Sequence, residues 1–216
     1  LNLVLFLGAS VGSASDRASY PAHWWEEVPR EKAEKWEILP QDAREGEVIL
    51  SKRNELGLLS NFAATPFIYR KQRYASVEGF WQMMRYPEGP HDERALFPGI
   101  EWKHSRNEVA AMTGFEAKNA GKLAAANMKL MNIDWVSFEG EKFPYRSREA
   151  GRHYELILEA LRAKLAQNRS VYEVLMKTGD LILRADHAID PQSPPEWHYD
   201  KLWMQIRAEE MRKKRR

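Results

Sequence analysis

From Ser76 onward, apolar residues recur at helical spacing; before it they do not. This break constrains the fold more than any other feature, because it assigns most of the chain to helices packed on a small β portion. Val77, Phe80, Trp81 and Met84 fall at i, i+3, i+4, i+7, and Ser76 is placed to cap a helix running to about residue 86. Further helical patterns cover residues 107–112, 117–130 and 147–167. In the last of these Tyr154, Ile157, Leu158, Leu161 and Leu165 face inward. Ser170 is placed to cap a short helix over 171–177 that Gly179 ends. Residues 181–183 read as a brief strand. Pro194-Pro195 breaks the chain before a last helix over 196–211, with Leu202, Trp203 and Ile206 on one face. Residues 97–105 and 186–195 read as the principal loops.

The β signals lie between residues 47 and 76. Residues 47–51 form a short strand, and residues 67–69 and Tyr74 flank a hairpin turn at residues 70–73. Between them, Leu58-Leu59-Ser60-Asn61-Phe62 reads as a loop with buried apolar residues. The expected fold is a compact, mostly helical α+β single domain with a short N-terminal β hairpin. It spans residues 47–211 of the 216, a length that suits one domain plus an extension.

Residues 15–46 are that extension: polar, broken by Pro21, Pro29 and Pro40, with a short helix over 30–36. Trp24, Trp25 and Trp36 are expected to pin it to the core rather than to line a ligand site. Residues 1–14 pass from an apolar run to small residues and then to Asp16-Arg17, the shape of a truncated signal peptide. On that reading the protein is exported or periplasmic; if the run is instead a buried strand, it is cytoplasmic. The basic residues 212–216 read as a solvated helix end that complements the helix dipole.

Composition removes several chemistries. There is no cysteine, so thiol catalysis, Cys-ligated zinc and iron–sulfur clusters are excluded. The six histidines show neither HxxxH nor HxH spacing, and no metal site is expected. A net charge of +2 gives no global basic field for nucleic acid. No apolar run is long enough to span a membrane, and none is expected in the mature form. Nucleophile-elbow, phosphate-loop and dinucleotide motifs are absent, and no cofactor is expected.

Carboxylate chemistry remains. Glu78, Gln82 and Arg85 fall at i, i+4, i+7, a polar face beside Phe80 and Trp81. A carboxylate among such rings is partly desolvated, which favours acid–base use, although Glu–Arg pairs are also routine on helix surfaces. The loop containing Asp186, His187 and Asp190 offers a second acid; Asp there also serves simply as a turn former.

Taken together, several segments resemble the NADAR (YbiA-like) family. They are Leu59-Ser60-Asn61-Phe62, Pro66-Phe67, the run from Tyr74 through Glu78 to Gln82, Ala160 to Leu165, Thr178-Gly179-Asp180, Leu183 to Asp190, and Leu202 to Arg207. The resemblance covers residues 55–210 in order. It implies N-glycosidic bond chemistry on ribosides: relatives cleave phosphorylated early intermediates of riboflavin synthesis or remove ADP-ribose from guanine bases. It places the family's Glu on Glu78, its Asn on Asn61, its late acid on Asp186 or Asp190, and a Trp on Trp135. The chain departs from the pattern at Gly79, where the family has His, at Arg85, where it has Lys, and at residues 191–197, where a Gly-rich stretch is replaced.

The expected function is therefore hydrolysis of an N-glycosidic bond in a small-molecule riboside or ADP-ribosylated nucleic acid. Glu78 and Asp186 are the expected catalytic residues, and Asn61, Phe62, Gln82, Arg85, Trp135 and Asp190 the expected substrate-binding residues. Arg85 is assigned to a phosphate; Trp81 or Trp135 is assigned to a base. The alternative is a non-catalytic module that binds ADP-ribose or a related nucleotide. A third reading is an exported structural domain without a ligand.

Overall fold

In the computed structural model, which describes residues 17–215, Ser76 caps the first helix as its sequence predicts. Its backbone is extended, and its Oγ accepts a hydrogen bond from Gly79 N at 2.9 Å while donating to Met112 O at 2.9 Å. The signal-peptide reading falls on residues 1–14, outside the described residues.

In chain order the elements are β1 (Glu47–Ile49), β2 (Phe67–Tyr69), β3 (Gln72–Tyr74), α1 (Val77–Met83), α2 (Glu93–Leu96), α3 (Arg106–Ala110) and α4 (Gly114–Leu130). There follow β4 (Trp135–Phe138), β5 (Glu141–Pro144), α5 (Arg152–Gln167), α6 (Arg169–Lys177), β6 (Ile182–Arg184) and α7 (Tyr199–Lys214). The fold is α+β and mostly helical. Among the described residues the strands form three two-stranded sheets: parallel β1–β6, with Val48 opposite Leu183, and antiparallel β2–β3 and β4–β5.

The β2–β3 hairpin turns through Arg70 and Lys71, both at positive φ, as a two-residue hairpin turn requires. It lies inside the chain, after β1, so it is not an N-terminal hairpin. The first strand instead reaches across the whole domain to β6. The β4–β5 hairpin, turning at Glu139-Gly140, was not anticipated.

Helix α1 is the centre of the domain and packs on α3, α4 and α5; every residue of it is buried. Helix α5 supplies the facing stripe, with Leu156, Ile157 and Leu161 each 0% exposed. It starts at Arg152, five residues later than its periodicity suggests, because Tyr145 is already fixed in a buried wall and extended Gly151 sets the first turn. Only Asn168 separates α5 from α6, so Ser170 is not the cap. The Asn168 amide donates to Lys164 O and Pro66 O. The last helix is likewise delayed. Residues Pro195–Trp197 form a 3-10 turn, and Glu196 is drawn inward onto His153 Nδ1 at 2.8 Å.

Among its described residues the extension carries four 3-10 turns, and the one over Arg30–Lys32 occupies the place of the expected helix. Trp24 is fully buried and donates to Glu55 Oε1 at 2.8 Å, and Trp25 donates to Glu47 O at 2.9 Å. Trp36 does not follow them. It is 47% exposed.

Gly79 is dictated by packing. A Cβ there would lie 2.6 Å from Met112 O and 2.9 Å from Val109 O, backbone atoms at the end of α3. No side chain larger than hydrogen fits this approach. Gly79→Ala should cost about 3 kcal/mol in urea unfolding, as overpacking does. A loss below about 1 kcal/mol would show that α1 and α3 separate freely.

Lys164 is 0% exposed, and its Nζ donates to Ser60 O at 2.8 Å. Burial pulls its pKa down to about 7. Between that value and the ordinary lysine range, the unfolded chain holds a proton that the folded chain has released. Stability through this group therefore rises with pH across the interval, by up to about 1.4 kcal/mol per unit. In urea titrations at about pH 7 and about pH 9, Lys164→Met should lack this rise; an identical pH slope in both proteins would count against it.

Candidate functional site

Glu78, in the first turn of α1, lines the floor of a cavity of about 710 Å³. The cavity is walled by residues 35–38 of the extension, the loop 60–62, the start of α4, Tyr145, and His187, Ala188, Trp197 and Tyr199. Glu78 is 8% exposed, and its Oε1 accepts from Gln82 Nε2 at 2.8 Å, one helical turn on. Burial pushes its carboxyl above the ordinary carboxylate range; the Gln82 amide and the charges of Lys118, Arg85 and Lys52 oppose that shift without cancelling it. Gln82 is held in turn by Gly121 of α4, where a Cβ would lie 1.9 Å from Gln82 Oε1.

Two lysines and a set of rings stand around this carboxyl. Lys118 Nζ lies 5.7 Å from the Phe62 ring and 5.9 Å from the Phe115 ring, and has no carboxylate within ion-pair distance among the described residues. Lys52 Nζ lies 5.8 Å from the Trp36 ring and 5.4 Å from the Phe62 ring. It is ion-paired with Asp186 Oδ2. Asp186 Oδ1 meets His187 Nδ1 at 2.9 Å and accepts from Tyr199 OH at 3.3 Å. Burial alone would raise the Asp186 carboxyl; His187 and Lys52 outweigh it and hold the pKa below the ordinary value.

The structure brings Asn61, Phe62, Glu78 and Gln82 into one cavity. Asp186, 1% exposed, lies one layer behind and holds lining residues in place. Arg85, Trp135 and Asp190 lie elsewhere. Helix α1 stops at Met83, and Arg85 N bonds Gln82 O in a tightened turn at 3.2 Å, so the i+7 phase of a regular helix does not reach it. Arg85 stacks on Tyr145 at 4.0 Å, donates to Gly121 O at 2.7 Å and lines a second cavity of about 800 Å³ beyond that ring. Trp135 opens β4, with Arg94 at 4.7 Å and Lys142 at 4.4 Å from its ring. Asp190 is exposed and accepts from Gln192 N at 2.8 Å, the turn-former's role.

Sequence reasoning missed Lys52, Lys118, Tyr145, Tyr199 and the strap carrying Trp36. The one readable signal was Gly121, a helix-interior glycine that marks a close approach three residues after Lys118. Three buried polar atoms of cavity residues have no protein partner: Asn61 Oδ1, Gln82 Oε1 and Trp197 Nε1. Unpaired groups of this kind are costly in a core and ask for a reason. Among the described residues no cluster of three His, Asp or Glu is arranged to hold a metal.

No family model matches this chain, and no curated protein matches it. Among solved structures it is similar to the NMR structure of the E. coli protein YbiA, at 16% identity and a TM-score of 0.46. The alignment covers 80% of this chain and 90% of that one.

Since Gly121 leaves room for Gln82, Gly121→Ala should expel the amide and remove the hydrogen bond that lowers the Glu78 pKa. The carboxyl should then titrate higher still, read by carbon NMR of labelled glutamate. An unchanged titration would show that Gln82 is not fixed this way.

Proposed function

We propose that the chain hydrolyses an N-glycosidic bond in a phosphate-bearing riboside or ADP-ribosyl substrate, with Glu78 as the catalytic carboxyl. The observation that carries this reading is Glu78 itself: a buried carboxyl on the floor of an aromatic cavity, protonated further up the pH scale than an ordinary carboxylate. The motif resemblance in residues 55–210 supports it independently of the geometry.

Such bonds break through an oxocarbenium-like ribose. In the proposed reaction Glu78 gives its proton to the departing base as the C1′–N bond breaks, the bonding pair leaving with the base. The resulting carboxylate faces the positive sugar carbon. Water adds to C1′ and returns a proton to Glu78, which restores the starting state. Asn61 and the Gln82 carbonyl offer hydrogen bonds to ribose or base. Lys118 and Lys52 meet a phosphate, the part first assigned to Arg85. Asp186 is a positioning residue here, because both of its oxygens are engaged with Lys52, His187 and Tyr199.

The test is base release, read by mass spectrometry, from NAD, ADP-ribose, ADP-ribosylated guanine oligonucleotides and phosphorylated ribosylaminopyrimidines. Glu78→Gln should lower turnover by about 10²–10⁴-fold. Its stability should match or exceed that of the parent at neutral pH, since a carboxyl whose pKa rises on folding costs stability once the unfolded group ionises. Saturable binding without release from any substrate would assign the cavity to a binding module instead, which the same lysines and rings would serve.

A further inference from the structure

Of the eight tryptophans, Trp36 alone is exposed, and it stands in the wall of the Glu78 cavity. Its ring meets His187 edge-on at 6.5 Å and Lys52 at 5.8 Å. It packs into no core, yet the backbone that carries it is fixed at both sides. Arg53 holds Glu37 through both carboxylate oxygens, at 2.7 and 2.6 Å, and donates to Lys32 O at 3.0 Å. On the other side Ile38 N donates to Asp186 O at 2.8 Å, and Glu37 bridges His187. A large apolar ring on a fixed backbone, half in water beside a cavity, is a surface prepared for a flat partner.

The order of groups along the cavity says which part of a ligand meets it. Glu78 is on the floor. Glu78 is 8% exposed and Trp36 47%, so the indole stands at the solvent side of the cavity, and Lys52 Nζ is near both the Phe62 ring (5.4 Å) and the Trp36 ring (5.8 Å). Asp186 occupies one of its donor directions and leaves others for an anion. Lys35, adjacent to Trp36, is exposed and lines the same wall. A phosphate on these lysines therefore has the sugar on its inner side and Trp36 on its outer side.

We infer that Trp36 is a specificity-determining residue. It stacks on a planar ring carried beyond the phosphate, so the site prefers ligands with such a ring over phosphorylated sugars that end at the phosphate. The inference rests on the proposed orientation of the substrate at Glu78, but its test does not depend on turnover. Isothermal titration of the full chain with ADP and with ribose 5-phosphate separates the ring from the sugar phosphate. Trp36→Ala should weaken ADP about tenfold, the range of base–aromatic stacking, and leave ribose 5-phosphate within about twofold. Trp36→Phe should restore most of the ADP affinity. Equal weakening of both ligands would make Trp36 a wall and nothing more. Unchanged ADP affinity, or no ADP binding by the parent chain, would also overturn the inference. Base release is scored separately: if it is absent while ADP binding still depends on Trp36, the glycosidase reading fails and this one stands.

Discussion

The site depends on how the loop from Leu59 to Phe62 is held. Four successive carbonyls are each taken by a donor from a different part of the chain. Trp203 Nε1 of α7 takes Leu59 O at 2.6 Å, and Lys164 Nζ of α5 takes Ser60 O at 2.8 Å. Glu78 N of α1 takes Asn61 O at 2.9 Å, and Gly114 N of α4 takes Phe62 O at 3.1 Å. A buried loop carries backbone groups that water cannot satisfy, so each carbonyl needs a partner. Here the partners are the helices themselves, and satisfying the loop fixes where α1, α4, α5 and α7 stand around it. The cost is a buried amine at Lys164 with no counter-charge, which burial answers by pulling its pKa down.

The same arrangement sets the electrostatics of Glu78. Its amide anchors the loop while its carboxyl turns to the cavity, so backbone and side chain of one residue join the scaffold to the site. Two lysines nearby would ordinarily hold such a carboxyl ionised. Burial wins because both ammonium groups lie against rings and one is tied to Asp186, whereas Glu78 is 8% exposed. The glycines at 79 and 121 allow this enclosure. One lets α1 sink onto the end of α3, and the other lets the Gln82 amide lie flat on α4.

What could be read from the sequence was what a single element determines. Ser76 as a cap, the helix it starts, and Glu78 with Gln82 one turn apart follow from local rules, and Asn61 and Phe62 came from their motif. Arg85 was misplaced because the helix ends at Met83, a boundary that periodicity does not show. Trp135 was misplaced because the short β4–β5 hairpin was not recognised. The cavity's other walls are long-range. Lys52 meets Asp186 across 134 positions, and the strap holding Trp36 reaches the same carboxylate's backbone. Indoles that bury Trp24 and expose Trp36 look alike in a polar, proline-broken extension, since only the tertiary contact separates them.

Asp186 shows why the proposed chemistry rests on one carboxylate and not on a pair. Its backbone oxygen receives Ile38 of the strap, one side-chain oxygen holds Lys52, and the other meets His187 and Tyr199. A general base must have a lone pair free in the site and a pKa near the working pH. Asp186 does not line the cavity, each of its oxygens already has a protein partner, and its pKa is held below the ordinary range. Its place is structural, since it fixes the strap, the lysine and the tyrosine relative to one another. Glu78 contrasts with it: its second oxygen carries no protein hydrogen bond among the described residues, and burial keeps it protonated higher in pH, which is why the proposed proton transfer is placed there.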